Sequence, residues 1–358
     1  MTNIKTITIL AVILILTVLG ITLFNSNNTN NQPTANLSSP NLETKIGVIT
    51  DLTGPASYWG KSTQVGIKIA QEELKNKGYQ SKFIFEDYKL LAPNALNSVN
   101  KLNGVDNVDA FYVEFNPGTY TVSPFLKDKN KIMLYDASPT SPLLESDNYF
   151  KTYLDYEKGC EQMANKFKLD GVTKIASLQP KIEFGDLCTK GVQKVFTNAT
   201  VENYNLGDDS KNLVTKLNQQ GIEAIINTGF EADTANILKA IGETNSKIRI
   251  GVTTDTLTPT VKKQYSKELK GSYNFGFGAI SNEFINKVKA IDPSVTSYDA
   301  AALGYIHAKQ LVTSLVDCQK ELNCTKDKIS KSKPESIIPF QNFVDRKANF
   351  ETLIGKVE

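Results

Sequence analysis

The residues most suggestive of chemistry lie between Leu52 and Gly66, LTGPASYWGKSTQVG. An apolar run, KIGVIT, precedes them and a helical pattern, GIKIAQEELK, follows. Strand, glycine loop with GKS, then helix is the setting of a phosphate-binding loop. That loop needs four residues between its first glycine and the GK pair, so that successive amides wrap the phosphates. Here Gly54 and Gly60 enclose five, Pro55 to Trp59. Pro55 has no N–H to give, and two large rings crowd the cradle, so the spacing excludes nucleotide chemistry. What the loop does carry is aromatic. Tyr58 and Trp59, the chain's only tryptophan, are expected to form a wall that covers an aliphatic group or attracts an ammonium.

Other catalytic constellations are missing from the sequence. The single histidine, His307, lies inside an amphipathic helical pattern, where packing is the expected role. There is no G-x-S-x-G elbow, no H-E-x-x-H and no G-x-G-x-x-G after a strand. One histidine and no C-x-x-C argue against zinc. With 40 basic and 38 acidic residues, a formal net charge of +2, nothing favours nucleic acid. The expectation is a protein that is not an enzyme and takes no cofactor and no metal.

The elements that would position the aromatic loop follow from the hydrophobic pattern. Short apolar runs (KIGVIT, KFIFEDY, DAFYVEF, KIMLYD, KIASLQ, EAIINTG, KIRIGV) alternate with helical patterns near 62–77, 93–103, 118–128, 157–169, 186–197, 210–220 and 231–244. This alternation predicts βαβ units and parallel sheets covered on both faces. Midway, KIMLYDASPTSPLLESDNYFKTYL is a long crossing segment, and KIASLQ begins a second series. The fold class is therefore α/β, with two similar lobes. SYNFGFG (272–278) reads as a return crossing, SYDAAALGYIHAKQLVTSL as a late amphipathic helix, and the tail as strand-rich.

Open parallel sheets bind ligands at the carboxyl ends of their strands, which is where the Tyr58–Trp59 loop falls. In EFNPGTYTVSPFL, Asn116 is expected as N-cap and Pro117 as first helical residue, with Gly118 and Thr119 after it. Such a helix start can hold a carboxylate.

The first 43 residues stand apart. Ile7–Phe24 is an uncharged run of 18 residues with Lys5 before it, long enough at about 27 Å to span a bilayer core. Residues 1–24 are expected to be a membrane anchor, favoured over a cleaved signal because no small-x-small site follows. Residues 25–43 are polar and predict a flexible tether. The globular part would lie outside the cell membrane. Cys318 and Cys324 lie six apart around a helix end, and Cys160 and Cys188 lie in successive predicted helices. Each pair reads either as a disulfide, which suits an oxidising compartment, or as buried thiols.

Four stretches together resemble one family. IGVITDLTGPASYWGKSTQVGIKIAQEEL, KIMLYDASPTSPLL, IEFGDLCTKGV and SYDAAALGYIHAKQL are similar, in this order and spacing, to type I periplasmic solute-binding proteins. The nearest branch is that of the branched-chain amino-acid receptors of ABC transporters. The resemblance implies two doubly wound lobes joined by a three-segment hinge: lobe 1 as 45–150 plus 278–333, lobe 2 as 151–277 plus 334–358. It implies capture of an amino acid or related polar solute in the cleft and delivery to a membrane permease. The alternative is a sensing ectodomain that acts through a membrane partner. The resemblance also brings in Ser138 and Thr140 as ligand contacts, and Phe184 and Phe230 as aromatic walls from lobe 2. Asp255, with Glu231 as the alternative, would face a ligand ammonium.

Overall fold

The computed structural model describes residues 42–138, 141–181, 183–333, 337–338, 340–350 and 352–357. The expected anchor (1–24) and nearly all of the expected tether lie outside the described residues. Among those described, no helix is long and apolar enough to cross a membrane.

The first sheet is built from β1 (Glu43–Thr50), β2 (Gln80–Asp87), β3 (Ala110–Glu114), β4 (Ile132–Asp136) and β5 (Tyr149–Lys151). The tail strands β11 (Phe340–Val344) and β12 (Lys347–Phe350) extend it, giving the order β11-β12-β5-β4-β3-β1-β2. All its pairings are parallel except β11 with β12. The second sheet holds β6 (Ile175–Pro180), β7 (Thr200–Tyr204), β8 (Ala224–Asn227), β9 (Arg249–Thr253), β10 (Tyr273–Gly276) and β13 (Leu353–Lys356), in the order β13-β10-β9-β8-β6-β7. Only β13 is antiparallel there.

The chain thus passes between the sheets three times: after β5, after β10, and between β12 and β13. The tail does not belong to lobe 2 as a whole, as had been expected. Residues 340–350 add to the first sheet because Lys347 pairs with Lys151 of β5, and only 353–356 join the second.

Strands β3 and β4, AFYVE and IMLYD, are buried at every position, as continuous apolar runs are when helices cover both faces. On one side lie α1 (Ser57–Asn76) and α10 (Tyr298–Asp317), the most extensively packed helix pair. Two glycines permit this. A Cβ on Gly66 would lie 1.8 Å from the Ala301 carbonyl oxygen, and one on Gly304 would lie 2.6 Å from that of Thr63. The sheet's other helices include α2 (Ala92–Gly104) and α3 (Asn116–Leu126). Over the second sheet, α4 (Tyr156–Leu169) packs on α5 (Glu183–Val195), and α6 (Lys211–Gln219) on α7 (Glu231–Glu243). Asp155 caps α4 by accepting the Lys158 amide at 3.1 Å. A short α8 (Pro259–Gln264) follows β9, α9 (Asn282–Ile291) leads into α10, and α11 (Leu322–Lys331) leads to the tail.

Cys160 is bonded to Cys188, tying α4 to α5, and Cys318 to Cys324, closing the turn between α10 and α11. The lobes share one continuous apolar cluster. It runs through an aromatic chain at the crossings. Tyr153 meets Phe277 edge-on at 5.6 Å and stacks on Tyr156 at 5.7 Å, and Phe277 meets Phe350 at 4.9 Å.

Candidate functional site

The loop after β1 folds around its own carboxylates. Asp51, buried at the strand's end, accepts the Gly54 amide through Oδ1 at 2.5 Å and the Ala56 amide through Oδ2 at 2.8 Å. Asp87, at the end of β2, accepts the Leu52 amide at 2.9 Å and the Thr53 hydroxyl at 2.6 Å. The amides that a phosphate would need are therefore already occupied. Asp51 thereby fixes the turn that leads into α1, whose cap residue Ala56 has no side-chain acceptor to offer and whose first amides bond to the backbone instead, Ser57 to the Gly54 carbonyl and Trp59 to that of Ala56.

The two aromatic residues of this loop part company. Tyr58 is half-buried against the core. Trp59 is 1% exposed; its Nε1–H donates to Glu114 at 3.1 Å, and its ring meets Phe115 at 6.1 Å and Tyr153 at 5.8 Å. Trp59 is the backing of the aromatic layer rather than an exposed wall, because a buried carboxylate claims its only polar atom.

At the end of β3 the chain turns sharply. Phe115 has φ 66° and ψ 155°, a region almost reserved for glycine and worth about 1–3 kcal/mol of strain for other residues. The conformation is clamped by the Phe115 amide donating to the Asp136 carbonyl at 3.2 Å and by the Thr119 amide donating to the Phe115 carbonyl at 3.0 Å. Phe115, not the expected Asn116, takes the cap position of α3, and Asn116 is the first helical residue. Asn116 is 8% exposed and its Oδ1 has no hydrogen-bond partner among the described residues. Thr119 and Ser138, both fully buried, share a hydroxyl–hydroxyl hydrogen bond that joins the α3 start to the loop after β4. A Cβ on Gly118 would come within 3.1 Å of the Tyr88 hydroxyl, which explains the small residue there.

The second lobe brings Phe230, at the start of α7, against Phe115. The centroids are 5.9 Å apart and the planes at 87°. The Phe230 amide donates to Asp233 Oδ2 at 2.9 Å, which fixes the helix entry. Two residues earlier, at the end of β8, the buried Thr228 hydroxyl also has no partner among the described residues. Glu231 accepts the Thr258 hydroxyl at 2.6 Å. Asp255 lies in a 3₁₀ turn, Thr254–Thr256, after β9. Its side chain, that of Phe184 in α5, and the whole of Thr140 lie outside what is described. A cavity of about 390 Å³ opens between the lobes beside this turn, lined by Thr254, Leu257 and Lys262 on one side and Ile280, Ser297 and Asp299 on the other.

The structure therefore brings together Trp59, Asn116, Thr119, Ser138 and Phe230 around a residue absent from the sequence reading, Phe115. Tyr153 and Thr228 were missed as well. Two buried acids beneath the site, Glu114 and Asp136, did leave a signal: each is the one charged residue of a buried strand, at its carboxyl end (AFYVE, IMLYD).

A family model described as periplasmic binding protein matches residues 43–312. Among solved structures, a leucine-binding protein from Thermotoga maritima is similar, with TM-score 0.75 and 18% identity over 88% of this chain and 95% of the other. An ABC-transporter solute-binding protein from Rhodopseudomonas palustris, in complex with 3,4-dihydroxybenzoic acid, has TM-score 0.76 and 16% identity over 88% and 93%. A fatty acid ABC-transporter substrate-binding protein from Thermomonospora curvata has TM-score 0.75 and 17% identity over 87% of each chain. No curated protein matches in sequence.

Proposed function

We infer the function from one premise: the chain belongs to the periplasmic binding protein family. It is a solute receptor and not an enzyme. It captures a small molecule between its two lobes and hands it to the membrane permease of an ABC transporter. The observation that carries this reading is the Phe115–Phe230 pair, one ring from each lobe, flanked by Asn116 Oδ1 and Thr228 Oγ1, which have no partner among the described residues. Aromatic walls with a few convergent polar atoms are what a small-ligand site requires.

The ligand has an apolar body against these rings and a polar end at the α3 start. Leucine, dihydroxybenzoic acid and a fatty acid, named for the three similar structures, share that chemistry: a carboxylate on an apolar body. An amino acid would further need a counter-charge for its ammonium, from Asp255 or from a Glu231 released by Thr258. The run Ile7–Phe24 anchors the receptor, with its globular part outside the membrane.

A thermal-shift panel of leucine, isoleucine, valine, benzoates, fatty acids and sugars tests this. A ligand at 100 times its dissociation constant adds about 2.7 kcal/mol. A shift that Phe230→Ala abolishes supports the reading. A shift that survives Phe230→Ala moves the site elsewhere, and no shift with any class removes the solute reading.

A further inference from the structure

Beneath the cleft, lobe 1 contains a polar cluster sealed from solvent. Glu114 and Asp136 pair in register across β3 and β4, and both are fully buried. The Tyr112 hydroxyl lies between them, 2.8 Å from Glu114 Oε1 and 2.6 Å from Asp136 Oδ2. Glu114 also receives Thr63 at 2.7 Å, the Trp59 indole at 3.1 Å, and the Thr50 hydroxyl. Asp136 has no further donor among the described residues, and its Oδ1 has no partner among them. Among the described residues, neither carboxyl is paired with a lysine or arginine. The titratable groups set against the pair, among the described residues, are Tyr112 on β3, Tyr88 after β2 and His307 on α10, with Asp51 after β1 beyond Tyr88.

Tyr112 has one hydroxyl hydrogen and two carboxyl neighbours within hydrogen-bonding distance. It can donate to one only, so the other contact needs a proton on the carboxyl. Glu114, with four donors, is the stabilised carboxylate, and Asp136 is the group left to carry the proton. His307 does not hold it. Its Nδ1 is 4.0 Å from Asp136 Oδ2 and neither ring nitrogen has a partner among the described residues, whereas an imidazolium has two N–H groups to satisfy.

We propose, resting on the cleft assigned above, that Asp136 is held as a neutral carboxylic acid donating to Tyr112, and that this Asp136–Tyr112–Glu114 chain positions the two turns that open the ligand site. Each acid directly precedes a positive-φ residue, Phe115 (φ 66°) after Glu114 and Ala137 (φ 44°) after Asp136. The Asp136 carbonyl holds the Phe115 amide. Asp136 is thus a positioning residue whose ionisation would place two like charges side by side under the site. Burial first, then the Glu114 charge, raise its proton affinity well above the carboxylate range.

Infrared spectra of ligand-free protein at neutral pH test the proton directly. Asp136→Asn should remove one carboxylic-acid C=O band, and absence of that band in the wild type overturns the proposal. Asn is neutral and keeps a donor for Tyr112. Its melting temperature should therefore gain on the wild type as pH rises from 5 to 8, while Trp59 emission stays unchanged. Asp136→Leu, without the donor, should shift that emission. A pH-independent difference, or Asn behaving like Leu, overturns the positioning role. A neutral His307 at pH 7, read by NMR on the chain's single histidine, is required, and an imidazolium there overturns the assignment. None of these readouts needs a ligand, so failure of the solute panel would leave them standing.

Discussion

Phe115 of the first lobe and Phe230 of the second meet edge-on, their ring centroids 5.9 Å apart. One partner is held in a strained backbone conformation and the other sits at the relaxed start of a helix. The contact therefore depends on a turn whose cost the surrounding hydrogen bonds must offset.

That cost can be measured. Phe115→Ala loses the ring and keeps the strain, whereas Phe115→Gly loses the ring and relieves the strain. Gly should be the more stable variant by about 1–2 kcal/mol, the reverse of the order in a helix or strand. Urea unfolding of the two variants decides it, and an Ala variant equal to or better than Gly would refute the strained turn.

His307 predicts a dependence on acid. Burial lowers its pKa to about 3, so the unfolded chain takes up a proton below its ordinary value near 6.5 and the folded chain does not. The associated stability is present above pH 6.5 and is lost as pH falls. Between pH 6.5 and 5 the loss is about 2 kcal/mol. His307→Phe, which keeps an edge for Tyr112 (4.5 Å from the imidazole), should gain that amount on the wild type over this range in chemical denaturation. Parallel pH profiles for the two proteins would contradict it.

The two disulfides should differ in worth. Cys160–Cys188 spans a sequence separation of 28 and Cys318–Cys324 one of 6. By loop-closure entropy, removing the first by double alanine substitution costs about 3–4 kcal/mol and removing the second about 2. Thermal melts of the two double variants would show the order, and the opposite ranking would mean that native packing outweighs loop closure.

Gly66→Ala offers a sign test for the α1–α10 contact. Helix propensity alone favours alanine by about 1 kcal/mol. The Ala301 carbonyl oxygen, 1.8 Å from the new Cβ, makes the change overpacked, with an expected net loss of about 1–3 kcal/mol. A stabilised variant would show that the helices can separate at little cost.

The alternation of apolar runs and helical periods sufficed for the α/β class, the two lobes and most elements of both sheets. Burial faces are a local property, and a strand covered on both sides shows itself as an unbroken apolar run. The five-residue gap between Gly54 and Gly60 likewise excluded a phosphate loop, because the number of available amides is a matter of spacing. Long-range pairing was not legible in this way. The division of the tail between the sheets depends on Lys347 reaching Lys151, and β5 is three residues long, too short for any period. Phe115 was invisible because its backbone conformation runs against every propensity of phenylalanine and exists only where Asp136 and Thr119 clamp it. Trp59 is an aromatic beside a binding loop in the sequence. Only the packing of α1 over the end of β3, which brings its indole nitrogen to the buried Glu114, turns it inward.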